Sequence, residues 1–172
     1  SPSPWPVDSS PGFDGEVGRR GLVSGAGGLA SGYNGQMETE ATRALVKLFL
    51  DARAANDAAG IDAVLADDAE WQPPPSMGIG PFKGRETVVK ALTGGAVGKI
   101  FDVSTIKRDV HKLIAEGDTA VALQRLTATT VKGAAYENDY CWVYTCRDGK
   151  IARLDEYVDS YKAAKLFGMV KS

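Results

Sequence analysis

Three ionisable side chains in the C-terminal half of the chain are candidates for proton-transfer chemistry: Glu156, His111 and Asp139. A carboxyl group in an apolar pocket has a raised pKa, which suits Glu156 to act as a general acid or base near neutral pH. His111 could share a proton with it, and Asp139 could too, because close ionisable groups push their pKa values apart. Each also has a structural alternative: a satisfied pocket carboxylate for Glu156, a partly exposed histidine for His111 and an ion pair for Asp139.

Metal and cofactor chemistry finds little support in the residue types. One histidine and two cysteines are too few for a zinc site of the usual kind. Cys141 has no obvious cation beside it to form a thiolate, so a small buried side chain is the better interpretation. The glycine-rich stretch 77–84 lacks the Gly-Lys-Ser/Thr ending of a phosphate-binding loop. We therefore expect no metal and no cofactor.

Composition limits the partners of the chain. The 20 basic and 22 acidic residues leave a formal net charge of −2. The chain has no excess of basic residues to bind phosphates, so nucleic acid is not an expected partner. Hydrophobic residues make up 44%, as in a globular protein, and no apolar run is long enough to span a bilayer. The sequence starts with neither a basic nor an apolar stretch, so no secretory signal and a cytoplasmic location are expected.

The chain divides at Met37. Residues 1–36 are rich in Gly, Pro and Ser and are interpreted as an extension or linker, whereas amphipathic patterns fill residues 37–172. Helical spacing from Thr39 onward predicts a first helix with an apolar stripe of Leu45, Leu48, Phe49 and Ala52, and two further helices before Gly95. After Gly98 the pattern predicts four strands, roughly 99–115, 119–131, 135–146 and 150–159. Three helices followed by an antiparallel meander is an α+β layout.

Turn signals at 117–118, 132–133 and 148–149 set the register of these strands if each forms a two-residue hairpin loop. One row of side chains across the sheet then contains His111, Gln124, Cys141 and Glu156. The adjacent row on the same face contains Leu126, Asp139 and Val158. This face is expected to line a helix-covered pocket. The opposite face would carry Tyr140, Trp142, Tyr144 and Tyr157, which predicts a homodimer built sheet to sheet.

Several segments resemble the SnoaL-like group of the nuclear transport factor 2-like superfamily over roughly residues 38–168. They are the opening helix, "GIDAVLADDAEW" (60–71), "GPFKGRETVV" (80–89), "LIAEGDTAVA" (113–122) and "DGKIARLDEYVDS" (148–160). The resemblance implies a cone-shaped α+β barrel, with three N-terminal helices packed on a curved antiparallel sheet. The family contains ketosteroid isomerases, limonene epoxide hydrolases, polyketide cyclases and noncatalytic binding or dimerisation domains, so the fold alone does not define the chemistry.

The resemblance also indicates which family residues are replaced. The isomerase's base, tyrosine and aspartic acid correspond to Pro73, Phe49 and Cys141. The hydrolase's arginine and aspartate correspond to Gln124 and Leu126, and its tyrosine and asparagine to Trp71 and Pro73; only its last acidic position persists, as Glu156. Neither familiar mechanism is therefore expected.

Two functions remain open from the sequence. One is a cofactor-independent isomerase, cyclase or hydrolase acting on a small hydrophobic molecule through Glu156, aided by His111 or Asp139. The other is a noncatalytic ligand-binding or dimerisation domain. In both cases we expect the pocket to be lined by Gln124, Cys141, Trp71, Phe49, Leu126, Val158 and Phe82.

Overall fold

The computed structural model describes residues 27–93, 95–166 and 168. Its helices are α1 (Gly27–Ala54), α2 (Ala58–Val64), α3 (Arg85–Thr93), α4 (Gly95–Gly98) and α5 (Ser160–Leu166), with a 3-10 turn at Pro75–Met77. Its strands are β1 (Leu65–Gln72), β2 (Phe82–Lys83), β3 (Phe101–Glu116), β4 (Thr119–Thr130), β5 (Ala135–Arg147) and β6 (Lys150–Val158). Residues 1–26, the greater part of the predicted extension, lie outside the described residues.

The strands form one sheet in the order β2-β1-β6-β5-β4-β3. Strand β1 pairs parallel to β6, and the other neighbours are antiparallel. Helix α1 packs on the sheet through Val46 and Phe49, and the Phe49 ring meets Tyr144 edge-on at a centroid distance of 5.5 Å. The predicted α+β class, with helices covering a mostly antiparallel sheet, is confirmed.

Helix α1 differs from the predicted stripe at Leu48, whereas Phe49 and Ala52 are buried and Leu45 packs against the core as predicted. Its buried side includes Thr42, Val46 and Phe49, which follow the i, i+4, i+7 spacing of one helix face. Leu48 is 59% exposed, so its predicted place in the apolar stripe is wrong. The same spacing continues to Arg53, whose guanidinium group therefore points into the fold rather than towards solvent.

Two of the three predicted hairpin loops have two residues. Glu116 pairs with Thr119, and Arg147 pairs with Lys150. The loop between β4 and β5 instead has three residues, 131–133, because the backbone N–H of Thr130 bonds to the carbonyl of Ala134 at 2.8 Å. Gly133 adopts a left-handed φ of 82°, as the third position of such a loop requires.

The extra loop residue turns every side chain of β5 to the face opposite the predicted one. Gln124 pairs with Tyr140, and Cys141 pairs with Leu123 on the outer side of the sheet. A register shift between Thr145 and Cys146 then offsets β6 by one residue as well. Glu156 consequently pairs with Trp142 and returns to the inner face. The predicted row of His111, Gln124, Cys141 and Glu156 is wrong, although Gln124 and Glu156 do share a face.

Deletion of residues 1–36 is expected to leave a folded domain. Residues 34–38 of α1 are exposed, and Thr39, beyond the deletion, makes a long-range hydrogen bond in which its hydroxyl accepts the Gly117 backbone N–H at 2.9 Å. The thermal midpoint should fall by less than about 4 °C. A deletion through Phe49 is the control, because it removes buried core side chains and should abolish folding. A fall of more than about 10 °C for the shorter deletion would contradict the predicted boundary at Met37.

Candidate active site

A cavity of about 570 Å³ lies between the inner face of the sheet and the helices that cover it. Its walls are mainly apolar. They include residues of the 3-10 turn, of strands β2, β3 and β4 and of the turn before β3, with Met77, Phe82, Ile100, Phe101, Ile106 and Leu126 as examples. Such a space can enclose a small hydrophobic molecule. Four charged side chains of the described residues interrupt the apolar wall: Arg53, Lys90, Arg108 and Glu156.

Glu156 is the carboxylate of the cavity. Its Oε2 accepts a hydrogen bond of 3.0 Å from the indole Nε1 of Trp71, which stacks on Phe82. Burial raises the pKa of Glu156 to about 7, and the positive charge of Arg53 and the Trp71 hydrogen bond only partly oppose the rise. At neutral pH the side chain is therefore close to half protonated, the state in which a carboxyl group can both give and take a proton.

Two guanidinium groups share the cavity with Glu156. The Arg53 guanidinium carbon lies 5.2 Å from the centroid of the Trp142 ring and 5.9 Å from that of Phe49, in cation–π geometry. Arg108, on β3, donates an Nη1 hydrogen bond of 3.2 Å to the backbone carbonyl of Arg53. Burial lowers the pKa of Arg53, and burial together with the charge of Arg53 lowers the pKa of Arg108 to about 10. A guanidinium group is not deprotonated in proteins, so both side chains are cations.

Neutral hydrogen-bonding groups complete the polar part of the cavity. The hydroxyl of Tyr140 lies 3.1 Å from that of Tyr136, and burial raises the pKa of Tyr140, so it stays protonated. The indole Nε1 of Trp142 is buried and has no hydrogen-bond partner among the described residues. Gln124 adds an amide to the wall. The cavity thus offers donors around a single titratable carboxyl group.

Most of the predicted ligand-binding residues line this cavity, namely Gln124, Trp71, Leu126, Val158 and Phe82. Phe49 instead packs in the core behind Trp142 and Tyr144, where it is fully buried. Cys141 lies on the outer face because of the three-residue loop before β5, so its predicted place in the pocket is wrong.

The two predicted partners of Glu156 lie on the outer face of the sheet with Cys141. Arg125 holds Asp139 with two hydrogen bonds of 2.7 and 2.8 Å, and these bonds lower the pKa of the exposed Asp139 carboxyl group. His111 falls at the irregularity of β3 between Val110 and Lys112, and its Nδ1 is 3.7 Å from Asp109 Oδ2. The structure therefore separates both side chains from Glu156 by the thickness of the sheet.

The aromatic surface predicted for a homodimer is largely interior. Trp142 is 3% exposed, Tyr144 is fully buried and Tyr140 lines the cavity. The three-residue loop before β5 places these side chains on the inner face of the sheet. Tyr157 alone of the four lies on the outer face, where it is 60% exposed. The predicted surface is wrong, and the homodimer itself remains a proposal.

Arg53 and Arg108 were not among the predicted site residues. Arg53 could have been found from its spacing, since it lies seven residues after Val46 and four after Phe49 on the buried side of α1. Arg108 pairs with Leu126, whose inner-face position was predicted, but the irregularity at His111 reverses the alternation along β3. For Arg53, the signal in the sequence was a charged residue at the spacing of a buried helix face. For Arg108, the sequence pattern contained no signal for an inward-facing side chain.

The family model for the SnoaL-like domain matches residues 46–154, which is more than half of the chain. The protein therefore belongs to the SnoaL-like domain family. No protein of curated function is significantly similar in sequence to it.

Solved structures with the same fold come from several bacteria. An NTF2-like protein of unknown function from Burkholderia pseudomallei is 21% identical and covers 73% of this chain and 96% of its own, with a TM-score of 0.66. An LEH-like epoxide hydrolase of M. tuberculosis is 20% identical and covers 77% and 92%, with a TM-score of 0.61. A SnoaL-like protein from Jannaschia sp. is 12% identical and covers 78% of this chain and 96% of its own, with a TM-score of 0.65. At these identities the comparison establishes the fold and not the activity.

Within residues 27–93, 95–166 and 168, no three His, Cys, Asp or Glu side chains are grouped so that they could hold a metal ion. No helix in the same ranges combines the length and the apolar character needed to cross a bilayer.

Proposed function

We propose that the protein is a cofactor-independent acid–base enzyme that binds a small hydrophobic molecule in the cavity and transfers a proton within it through Glu156. The observation that carries the proposal is the position of the Glu156 carboxyl group, buried in a mainly apolar cavity with a pKa of about 7. A group of that pKa is suited to removing a proton from carbon at one position and returning it at another. Isomerisation, cyclisation and hydration all fit this chemistry.

The surroundings of Glu156 support such a role. Trp71 Nε1 holds the carboxyl group at Oε2 and leaves Oε1 without a side-chain partner among the described residues. The tilted rings of Trp71 and Trp142, with centroids 6.0 Å apart, form an apolar wall beside it. The guanidinium group of Arg53, which lines the cavity, can stabilise negative charge that develops on a substrate oxygen when the proton leaves carbon.

A noncatalytic binding domain is the second candidate. It is favoured by the loss of the catalytic residues that the resemblance would imply: Phe49 and Pro73 occupy two of the isomerase positions, and both are buried. In that case the cavity would bind its ligand unchanged, and the raised pKa of Glu156 would be a consequence of burial alone.

Deuterium exchange tests the two candidates without knowledge of the substrate. The purified protein is incubated in heavy water with a hydrophobic metabolite extract, and mass spectrometry identifies compounds that gain deuterium. We expect at least one compound to be labelled by the wild type, because a carboxyl group that takes a proton from carbon exchanges it with solvent. Glu156→Gln keeps the shape and the Trp71 hydrogen bond but cannot titrate, so labelling should fall by at least about 100-fold.

Asp139→Asn is the matched control, because it removes a carboxylate on the outer face of the sheet. Its labelling should equal that of the wild type. Equal labelling by Glu156→Gln would exclude Glu156 as the acid or base. If the cavity retains a ligand from the extract and no compound is labelled, the noncatalytic candidate is correct.

A further inference from the structure

The charges that line the cavity are unbalanced. Among the described lining residues there are three cations, Arg53, Lys90 and Arg108, and one acid, Glu156. Lys90 is exposed on α3, but both arginine Nε atoms are buried. The single carboxyl group of Glu156 cannot neutralise two guanidinium groups. Burial of two cations in an apolar cavity is unfavourable unless negative charge balances them, and the described lining residues do not supply enough of it.

Neither guanidinium group in the cavity is paired with a carboxylate of the described residues, which is the usual partner of a buried arginine. The Nε atoms of Arg53 and Arg108 have no hydrogen-bond partner among the described residues. By contrast, Arg125 and Arg153, which are also among the described residues, each donate more than one hydrogen bond to an aspartate. The two cavity arginines therefore keep donors that no described carboxylate uses.

The two guanidinium groups also occupy defined positions. Arg108 is tied to the end of α1 by its hydrogen bond to the Arg53 carbonyl, and Arg53 lies over the Trp142 ring. Trp142 is also the direct strand neighbour of Glu156. An acceptor that reached the free arginine donors would bring the rest of the ligand against the face of Trp142 and towards Glu156.

From these positions we infer that the cavity recognises a hydrophobic molecule with one anionic oxygen group, a carboxylate or an acidic enol, which binds to Arg53 and Arg108. Guanidinium groups suit this task because their planar donors match two oxygens at once. The cavity volume of about 570 Å³ limits the remainder of the ligand to a few fused or linked rings. The inference rests on the cavity of the proposed function and adds the class of substrate.

Two fluorescent probes that differ in one group test this inference. 8-Anilinonaphthalene-1-sulfonate carries a fixed negative charge, and N-phenyl-1-naphthylamine has the same ring skeleton without it. We expect the wild type to bind the sulfonate at least about 10-fold more tightly, since a charged hydrogen-bonded group contributes about 1.5–3 kcal/mol. Each probe should displace the other, because both ring systems occupy the same cavity.

Replacement of the arginines by methionine removes charge while it keeps an apolar chain of similar length. A methionine in place of a buried cation is not expected to unfold the protein, and the thermal midpoint checks this. Arg53→Met and Arg108→Met should each weaken sulfonate binding, and the double variant should bind both probes equally well. Arg125→Met is the matched control: it removes a guanidinium group from the outer face, and the preference should remain.

Each result is decisive. Equal affinities of the two probes for the wild type, or a preference that persists in the double variant, would overturn the inference. Failure of both probes to bind would overturn it together with the cavity that the proposed function requires. If the sulfonate preference depends on both arginines but heavy water yields no labelled compound, the inference holds and the proposed catalysis fails.

Discussion

Truncation of Trp142 to alanine is expected to lower the free energy of unfolding by about 3–5 kcal/mol, as for other large buried aromatic side chains. Trp142 is 3% exposed, and its ring stacks between Tyr140 and Tyr144 at centroid distances of 6.5 and 6.4 Å. The truncation would leave a void beneath α1 that these neighbours cannot fill. Urea unfolding of the two proteins measures the difference.

Tyr157→Ala is the control for the orientation of the sheet. Tyr157 lies on β6, is 60% exposed and pairs with Cys141 on the outer face. Its truncation should change the free energy of unfolding by no more than about 0.5 kcal/mol. If the two variants lost similar amounts of stability, or if Tyr157→Ala lost more, the faces of β5 would be those that the turn pattern predicted.

Glu156 is expected to make stability depend on pH. Its folded pKa of about 7 exceeds the value of about 4.3 for an unfolded glutamate, so the folded state binds the proton more tightly. Stability from this group is therefore full below about pH 4 and falls as the pH rises to about 7. The pKa of about 7 already includes the opposing effect of the Arg53 charge on α1; the other cations that line the cavity are Lys90 on α3 and Arg108 on β3.

Glu156→Gln should remove this dependence, because an amide stays neutral throughout. The free energy of unfolding of the variant should match the wild type near pH 4 and exceed it by up to about 3 kcal/mol above pH 7. Glu116→Gln, at an exposed position beside the β3–β4 turn, is the control for the loss of a carboxylate and should change little. Parallel curves for the wild type and Glu156→Gln would show that Glu156 titrates as an ordinary exposed carboxyl group.

The fold could be predicted from the sequence because its signals are local and repeated. The α2 helix begins where Asp57 caps it, with the Gly60 N–H bonded to Oδ1 at 3.0 Å, and short turns separate the long strands. Periodicity and capping residues report such features directly. The class of the fold therefore depends on many weak signals that agree.

The arrangement of the site depends on one-residue differences in loop length and strand register, which the sequence pattern does not reveal. A two-residue loop at 132–133 and a three-residue loop at 131–133 both place Gly133 where a left-handed φ is needed, yet they turn β5 to opposite faces. The register shift before Cys146 then restores Glu156 to the inner face. Glu156 was thus correctly placed in the pocket by two errors that cancel, whereas Cys141 was misplaced by the first error alone.

The inward arginines were missed for a related reason. Charged residues on a predicted helix are assigned to the solvent side by default, but Arg53 continues the buried spacing of Val46 and Phe49. The aromatic ring of Trp142, far away in sequence, packs against the Arg53 guanidinium group and offsets part of the cost of burying its charge. Periodicity identifies the helix face, whereas the tertiary partner decides whether a charge can occupy it.

The pKa of Glu156 tests the central claim most directly. Carbon-detected nuclear magnetic resonance of protein labelled at the glutamate carboxyl carbons gives the titration of each side chain, and the resonance absent from Glu156→Gln identifies Glu156. A midpoint near 7 is the result that a carboxyl group poised for proton transfer requires. A midpoint near the ordinary glutamate value of about 4.3 would contradict it, because the group would then be a solvated carboxylate with little capacity to donate a proton at neutral pH.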